Sequence, residues 1–295
     1  MSQLPLWDGP VHDIPEGIDT LVESMNGTRL CLQVFGTPDA PLQVQLEGRG
    51  AQLVSLSRQF CVDLAARGFR VVRVDNRDAG RSQKFPDRPY DLTAMADDVA
   101  GLIEVFGGEP ATVCGRSLGG MVAQLVALAH PALTGALGLF YTAPRSDRTV
   151  SAGEPAAAPG EAEWVEDFVN AVLPLAGSLY PYDPRELIRL GHRLYARDHD
   201  PLGEHRQNLA MARTPDWSAR LAEVAVPTAI LHGDEDEVIP LSAAEDLHRL
   251  IPRSTLRVLW GMGHGQPPQL DGVFVDTCES LGRHATRPTD TPGGP

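Results

Sequence analysis

The string Gly115-Arg116-Ser117-Leu118-Gly119 stands between the apolar run Ala111-Thr112-Val113-Cys114 and a second apolar run from Met121 to Ala129. A serine on a tight turn between a strand and a helix projects its hydroxyl away from the sheet. Flanking glycines let the backbone bend that sharply without a Cβ clash. A helix beginning directly afterwards brings free N–H groups and a partial positive charge to any oxyanion formed at Ser117. Strand, turn and helix together point to acyl transfer.

The surrounding elements follow the same logic. Thr20–Met25 and Leu30–Phe35 alternate polar and apolar residues around Asn26-Gly27, which predicts a hairpin. Leu42–Leu46 alternates as a third strand. Apolar residues at helical spacing (Leu53, Leu56, Phe60, Leu64) predict a helix over Gln52–Arg67, stopped by Gly68. Phe69–Val74 reads as a strand, Leu92–Phe106 as a helix, then strand 111–114, helix 118–129 and strand 136–142. Alternation of this kind predicts a mostly parallel sheet with helices on both faces. It lapses between Ala143 and Ala225. There Ser151–Glu163 reads as a flexible connection, and Trp164–Leu175, Pro184–Arg197 and His205–Arg213 as helices. Pro227 then introduces strand Thr228–His232, helix Leu241–Leu250, strand Thr255–Leu259 and helix Leu270–Leu281. The predicted organisation is a core over 1–142 and 226–283, a helical cap insertion over 143–225, and a disordered tail over 284–295. Residues 1–18, with prolines at 5, 10 and 15, read as an irregular lead-in.

A net charge of −14 and a pI near 5.0 disfavour nucleic acid, and no basic amphipathic segment points to a membrane surface. No apolar run approaches the ~18 residues of a membrane span, and the N-terminal residues lack the pattern of a secretory signal. The expectation is a soluble cytoplasmic protein, monomer or homodimer. Cysteines 31, 61, 114 and 278 are scattered without CxxC spacing and read as buried free thiols. No metal is implied. The histidines and cysteines lack ligand spacing, and the acidic run 234–237 lacks the glycine and length of a calcium loop. No cofactor is implied either, since Gly48-Arg49-Gly50 is too short for a dinucleotide fingerprint.

A serine hydroxyl needs a base, and the base needs an orienting acid. Of nine histidines, His264 lies in the glycine-rich Trp260-Gly261-Met262-Gly263-His264-Gly265, a turn able to carry an imidazole to the carboxyl edge of a sheet. His232, followed by Gly233, is the rival, although a strand end pointing into packing fits it better. The acid falls on Asp234-Glu235-Asp236-Glu237, after the strand Thr228–His232. Asp236 has room to turn inward, with Asp234 as the alternative. The order Ser117, acid, His264 separates this arrangement from the protease folds.

These features resemble the α/β-hydrolases over about residues 20–282. Val72-Arg73-Val74-Asp75-Asn76-Arg77-Asp78-Ala79-Gly80-Arg81-Ser82 resembles the DxRGxGxS turn of that superfamily. Within it, the chain is most similar to the aclacinomycin methylesterase-type bacterial esterases, which share the DNRDxGRS string, an elbow followed by glycine, a VPT strand start and a GMGH loop. The resemblance implies an α/β-hydrolase fold and hydrolysis of a carboxylic ester through an acyl-enzyme. Ser117 would be nucleophile, His264 general base and then acid, and Asp236 its orienting partner. Where the superfamily usually has His-Gly after the third strand, this chain has Leu46-Glu47-Gly48-Arg49-Gly50. The implied oxyanion donors are the amides of Arg49 and Leu118, with Glu47 a carboxylate that would oppose an oxyanion if it stood close.

Gly48, Trp164 and Trp217 are expected against the substrate, with Phe168, Tyr180 and Tyr182 as further candidates for an aromatic pocket. Arg116 reads mainly as a structural residue beneath the elbow. Asp75, Arg77 and Asp78 read as a hydrogen-bonded brace. The expected substrate is a small to medium apolar ester, with a methyl ester of an aromatic or polyketide-like compound among the candidates. Two alternatives stand beside it: a non-hydrolytic use of the same site (lyase, cyclase, perhydrolase or C–C bond hydrolase) and a catalytically silent ligand-binding protein.

Overall fold

In a computed structural model, which describes residues 4–146, 159–198 and 200–285, β-branched and alternating segments build one eight-stranded sheet. Its strands are β1 (Thr20–Glu23), β2 (Arg29–Phe35), β3 (Leu42–Leu46), β4 (Arg70–Val74), β5 (Ala111–Arg116), β6 (Thr134–Phe140), β7 (Thr228–Gly233) and β8 (Ser254–Leu259). They lie in the order β1-β2-β4-β3-β5-β6-β7-β8. β2 is antiparallel to β1 and β4, and every pair from β4 to β8 is parallel. The chain passes from β3 outward to β4 and then returns to the other side of β3 as β5. This reversal opens a crevice at the carboxyl ends of β3 and β5. Register brings Leu46 beside Gly115 there, so the residues after each strand face one another.

The hairpin expected around Asn26-Gly27 forms, with β1 and β2 paired antiparallel up to Glu23 and Arg29. Residues 24–28 form the connecting loop, in which Asn26 donates to Asp98 at 2.8 Å and the Met25 amide to the Gly101 carbonyl at 3.2 Å. Gly27, at φ 83°, keeps the left-handed conformation the turn requires. The helix expected over 52–67 is broken. A 3-10 turn at Leu53–Ser55 precedes α1 (Arg58–Ala66), because the Ser57 hydroxyl accepts the Phe60 amide as an N-cap.

One face of the sheet is covered by α1 and α8 (Asp271–Ala285), the other by α2 (Leu92–Val105), α3 (Leu118–Ala129) and α7 (Leu241–Leu250). Alternation along the strands serves both faces. Val72 and Val113 enter the core with Met95, Val99 and Val122, while Val71 and Cys114 enter the core with Phe60, Phe274 and Cys278. All four cysteines are free and buried. The segment before β1 is less irregular than expected, since Leu6 bridges to Leu21 and Glu16 to Val34.

Between β6 and β7 the described chain contains no strand. It folds as α4 (Glu161–Val172), α5 (Pro184–Arg197) and α6 (Pro201–Arg213), with 3-10 turns at Leu173–Ala176 and Ser218–Glu223. Asp183 and Asp200 cap α5 and α6, each followed by a proline at the first helical position. Buried Arg197 joins α5 to Asp75 at 2.7 Å and to Asp19 at 2.8 Å, and Arg206 joins α6 to Asp78 at 2.7 Å. Glu161 to Glu163, expected in the flexible connection, belong to α4, and His284, expected in the tail, is helical in α8; residues 151–158 and 286–295 lie outside the described residues.

Candidate active site

Ser117 joins β5 to α3 at φ 50° and ψ −120°, a conformation that costs of order 1–3 kcal/mol and persists only where the surroundings hold it. The holding contacts are visible. Its amide donates to the Phe140 carbonyl at 3.0 Å, and its carbonyl accepts the Thr142 hydroxyl at 2.6 Å. Small residues permit the closeness. A Cβ on Gly119 would lie 2.7 Å from the carbonyl oxygens of Leu46 and Glu47, and one on Gly115 would lie 2.0 Å from the Gly119 carbonyl.

The hydroxyl of Ser117 lies 3.0 Å from His264 Nε2, and His264 Nδ1 lies 2.8 Å from Asp236 Oδ2. Asp236 is buried and accepts the amides of Val238 and Ile239 on its other oxygen at 2.9 and 2.8 Å. These bonds fix the direction of the carboxylate. Asp234 does not reach the imidazole. It accepts the Gly261 amide at 2.5 Å and so secures the loop that carries His264. His232 is enclosed at the end of β7, with Nε2 2.9 Å from the Ile239 carbonyl, and burial lowers its pKa below the usual histidine range. The Tyr141 and His264 rings form a T-shaped pair with centroids 5.2 Å apart.

Across the crevice, residues 48–51 form a turn closed by the Ala51 amide on the Gly48 carbonyl, with Gly50 at φ 69°. A Cβ on Gly48 would lie 3.9 Å from the Ser117 hydroxyl, so this backbone borders the nucleophile directly. Among the described residues, the amides of Arg49 and Leu118 donate to no protein acceptor.

Glu47 is held apart from that role. Its Oε1 is buried and lies 3.8 Å from the Arg116 guanidinium, and burial pushes the carboxyl above the usual carboxylate range against the pull of Arg116. Arg116 itself is enclosed under the elbow, donating to Gln266 at 2.8 Å and Gln45 at 3.1 Å between the Phe60 and Phe140 rings. The Asp75, Arg77 and Asp78 turn is a brace. Asp75 accepts the Leu53 and Arg81 amides, Arg77 pairs with Asp98 at 2.6 Å, and Asp78 accepts the Phe85 amide.

A cavity of 1710 Å³ opens beside Ser117, bounded below by residues 47–57 and above by α4 and α5. Trp164 and Phe168 stack in its wall with centroids 5.4 Å apart, and Tyr182 also lines it. Trp217 does not. It is buried in the core beside α3, donating its indole N–H to Gln124 Oε1 at 3.0 Å, because a buried indole and a buried mid-helix amide satisfy each other. Tyr180 likewise packs against the core and not in the cavity wall. Sequence reasoning overlooked Tyr141, Met121, Leu175 and Ile239, which reach the cavity from four separate elements. Only a backbone tracing could have grouped them. Among the described residues no cluster of His, Cys, Asp or Glu could hold a metal ion, and no helix is long and apolar enough to cross a membrane.

Residues 44–266 match the family model described as Serine aminopeptidase, S33. The chain is 29% identical to the AB hydrolase superfamily protein YisY of Bacillus subtilis (strain 168), over 69% of this chain and 77% of that protein. It is 28% identical to the rhodomycin D methylesterase DauP of Streptomyces sp. (strain C5), over 79% of this chain and 88% of that protein. Among solved structures, the esterase EaEST of Exiguobacterium antarcticum is similar at a TM-score of 0.71 and 26% identity, covering 90% of this chain and 100% of that one.

Proposed function

The chain belongs to the family described as Serine aminopeptidase, S33, within the α/β-hydrolase superfamily, and from that premise we propose that this hydrolase is a serine esterase using Ser117, His264 and Asp236. The observation that carries the reading is the unbroken path from the Ser117 hydroxyl to His264 at 3.0 Å and on to Asp236 at 2.8 Å, opening into the large cavity.

Each group then has one task. Asp236 holds His264 with Nδ1 protonated, which leaves Nε2 as the acceptor facing the hydroxyl. Ser117 attacks the ester carbonyl while its proton passes to Nε2. The carbonyl oxygen becomes an oxyanion received by the free amides of Arg49 and Leu118, reinforced by the N-terminus of α3. Nε2 gives its proton to the departing alkoxide, which leaves as the alcohol and the acyl-enzyme remains. A water then repeats the sequence, giving its proton to Nε2, and Ser117 is released with the carboxylic acid. Glu47 does not oppose the oxyanion in this reading, because its carboxyl faces the Arg116 guanidinium 3.8 Å away, which offsets its charge.

The cavity exceeds the roughly 300–1,000 Å³ typical of small-molecule sites. With Trp164 and Phe168 stacked in its wall, it favours an apolar ester of medium size, and a methyl ester on an aromatic, polyketide-like acid fits the likeness to DauP. A fluorophosphonate probe should label Ser117, and p-nitrophenyl ester turnover should vanish in Ser117→Ala. Labelling without turnover of any ester would move the reading to a non-hydrolytic use of the same serine. Absence of both would leave a ligand-binding protein.

A further inference from the structure

Helix α6 reaches across to the turn that follows β3. Gln207 is wholly buried, and both ends of its amide are used: Oε1 accepts the Gly50 amide at 2.7 Å and Nε2 donates to the Arg77 carbonyl at 2.8 Å. Its neighbours on the same helix hold the preceding residue. Arg49 Nη1 donates to Asn208 at 2.7 Å, and Arg49 Nε lies 3.3 Å from the Glu204 carboxylate.

From this geometry we infer that Gln207 is a positioning residue for the oxyanion-binding turn, acting through Gly50 and Arg49 from the inserted helical segment. The inference rests on the esterase reading above. In a four-residue turn the orientation of the central peptide sets ψ of the second residue and φ of the third, which is what separates type I from type II. Here that peptide joins Arg49 to Gly50, and Gln207 grips its N–H. Because Arg77 lies in the braced turn after β4, the grip is referred to the sheet and not to a free helix. Arg49 is therefore fixed on its carboxyl side by Gln207 and at its guanidinium by Asn208 and Glu204, while its own amide stays unpaired in the turn whose first residue, Gly48, borders Ser117. A donor is effective only when aimed at the oxyanion before the reaction begins.

Gln207→Met keeps the length of the side chain and removes both bonds. Expected is a fall in kcat of roughly ten- to a hundredfold, less than the loss of a whole donor, with KM changed by less than about threefold. Affinity for a boronic acid that forms a tetrahedral adduct on Ser117 should fall by the same factor as kcat, while an unreactive ketone analogue of the ester binds as before. Gln207→Asn, one methylene too short for both bonds, should show the same split. In the unmutated protein the Gly50 amide should exchange slowly with solvent, read by NMR. Unprotected exchange at Gly50, or variants that keep kcat and boronate affinity while Ser117→Ala abolishes turnover, would overturn the role of Gln207 and leave the esterase reading intact. Equal losses of boronate and ketone affinity would also overturn it, by showing packing alone. Absence of ester turnover in the unmutated protein would overturn the esterase reading itself.

Discussion

At the scale of single residues, the two neighbouring aspartates after β7 have distinct tasks that near-identical chemistry conceals. Asp236→Asn places an amide against His264 and disfavours the tautomer that leaves Nε2 free. On the esterase reading kcat should fall on the order of 10⁴-fold. Asp234→Asn still presents an oxygen to the Gly261 amide, so ester turnover should be little altered; steady-state kinetics on both variants would decide the acid. His232 supplies a pH prediction. Burial lowers its pKa below the ordinary value near 6.5, so the folded state keeps it neutral where the unfolded chain takes up a proton. The unfolded state then binds more protons, and stability falls as pH drops below about 6.5 toward the lowered value. His232→Gln retains an N–H for the Ile239 carbonyl and removes the titration. Its Tm should decline less than that of the unmutated protein between pH 7 and 5.

At the scale of elements, the inserted helices depend on buried ion pairs as well as apolar contact. Arg197 in α5 is nearly enclosed and faces two carboxylates, Asp75 and Asp19. Arg197→Met would leave those charges without their partner, which typically costs about 3–5 kcal/mol, and urea unfolding should register that loss. Because Asp75 also accepts the Leu53 amide, the variant should disturb the loop after β3 together with α5. Sequence periodicity located α2, α3, α5 and α7 almost to the residue. It failed at 52–67, where the apolar spacing of a helix was real but the chain between Leu53 and Ser57 is fixed from outside, by Asp75 on the Leu53 amide and by the cap at Ser57. Periodicity records which faces are buried and carries no information about a distant side chain that claims a backbone amide.

At the scale of the whole molecule, one cavity unites residues from both sides of the sheet crevice with α4 and α5. Trp164→Ala should raise KM for aromatic esters roughly tenfold, about 1.4 kcal/mol, while kcat for a short aliphatic ester stays near its original value. Trp217→Ala should instead lower stability, since its ring fills the core and its N–H satisfies Gln124. The two tryptophans look alike in the sequence, both in the segment between β6 and β7. What separates them is whether the backbone beneath each leaves a space or a neighbour, and composition does not encode that. The amino-acid order alone determined the alternation of strands and helices, the elbow at Ser117 and the chain order of serine, acid and histidine, because local bending, periodicity and order are properties of neighbouring residues. Tertiary structure decided which aspartate meets His264, that Glu47 turns to Arg116, and that Gln207 grips Gly50, because each is a contact between segments far apart in the chain whose distance is set by how the sheet and helices pack.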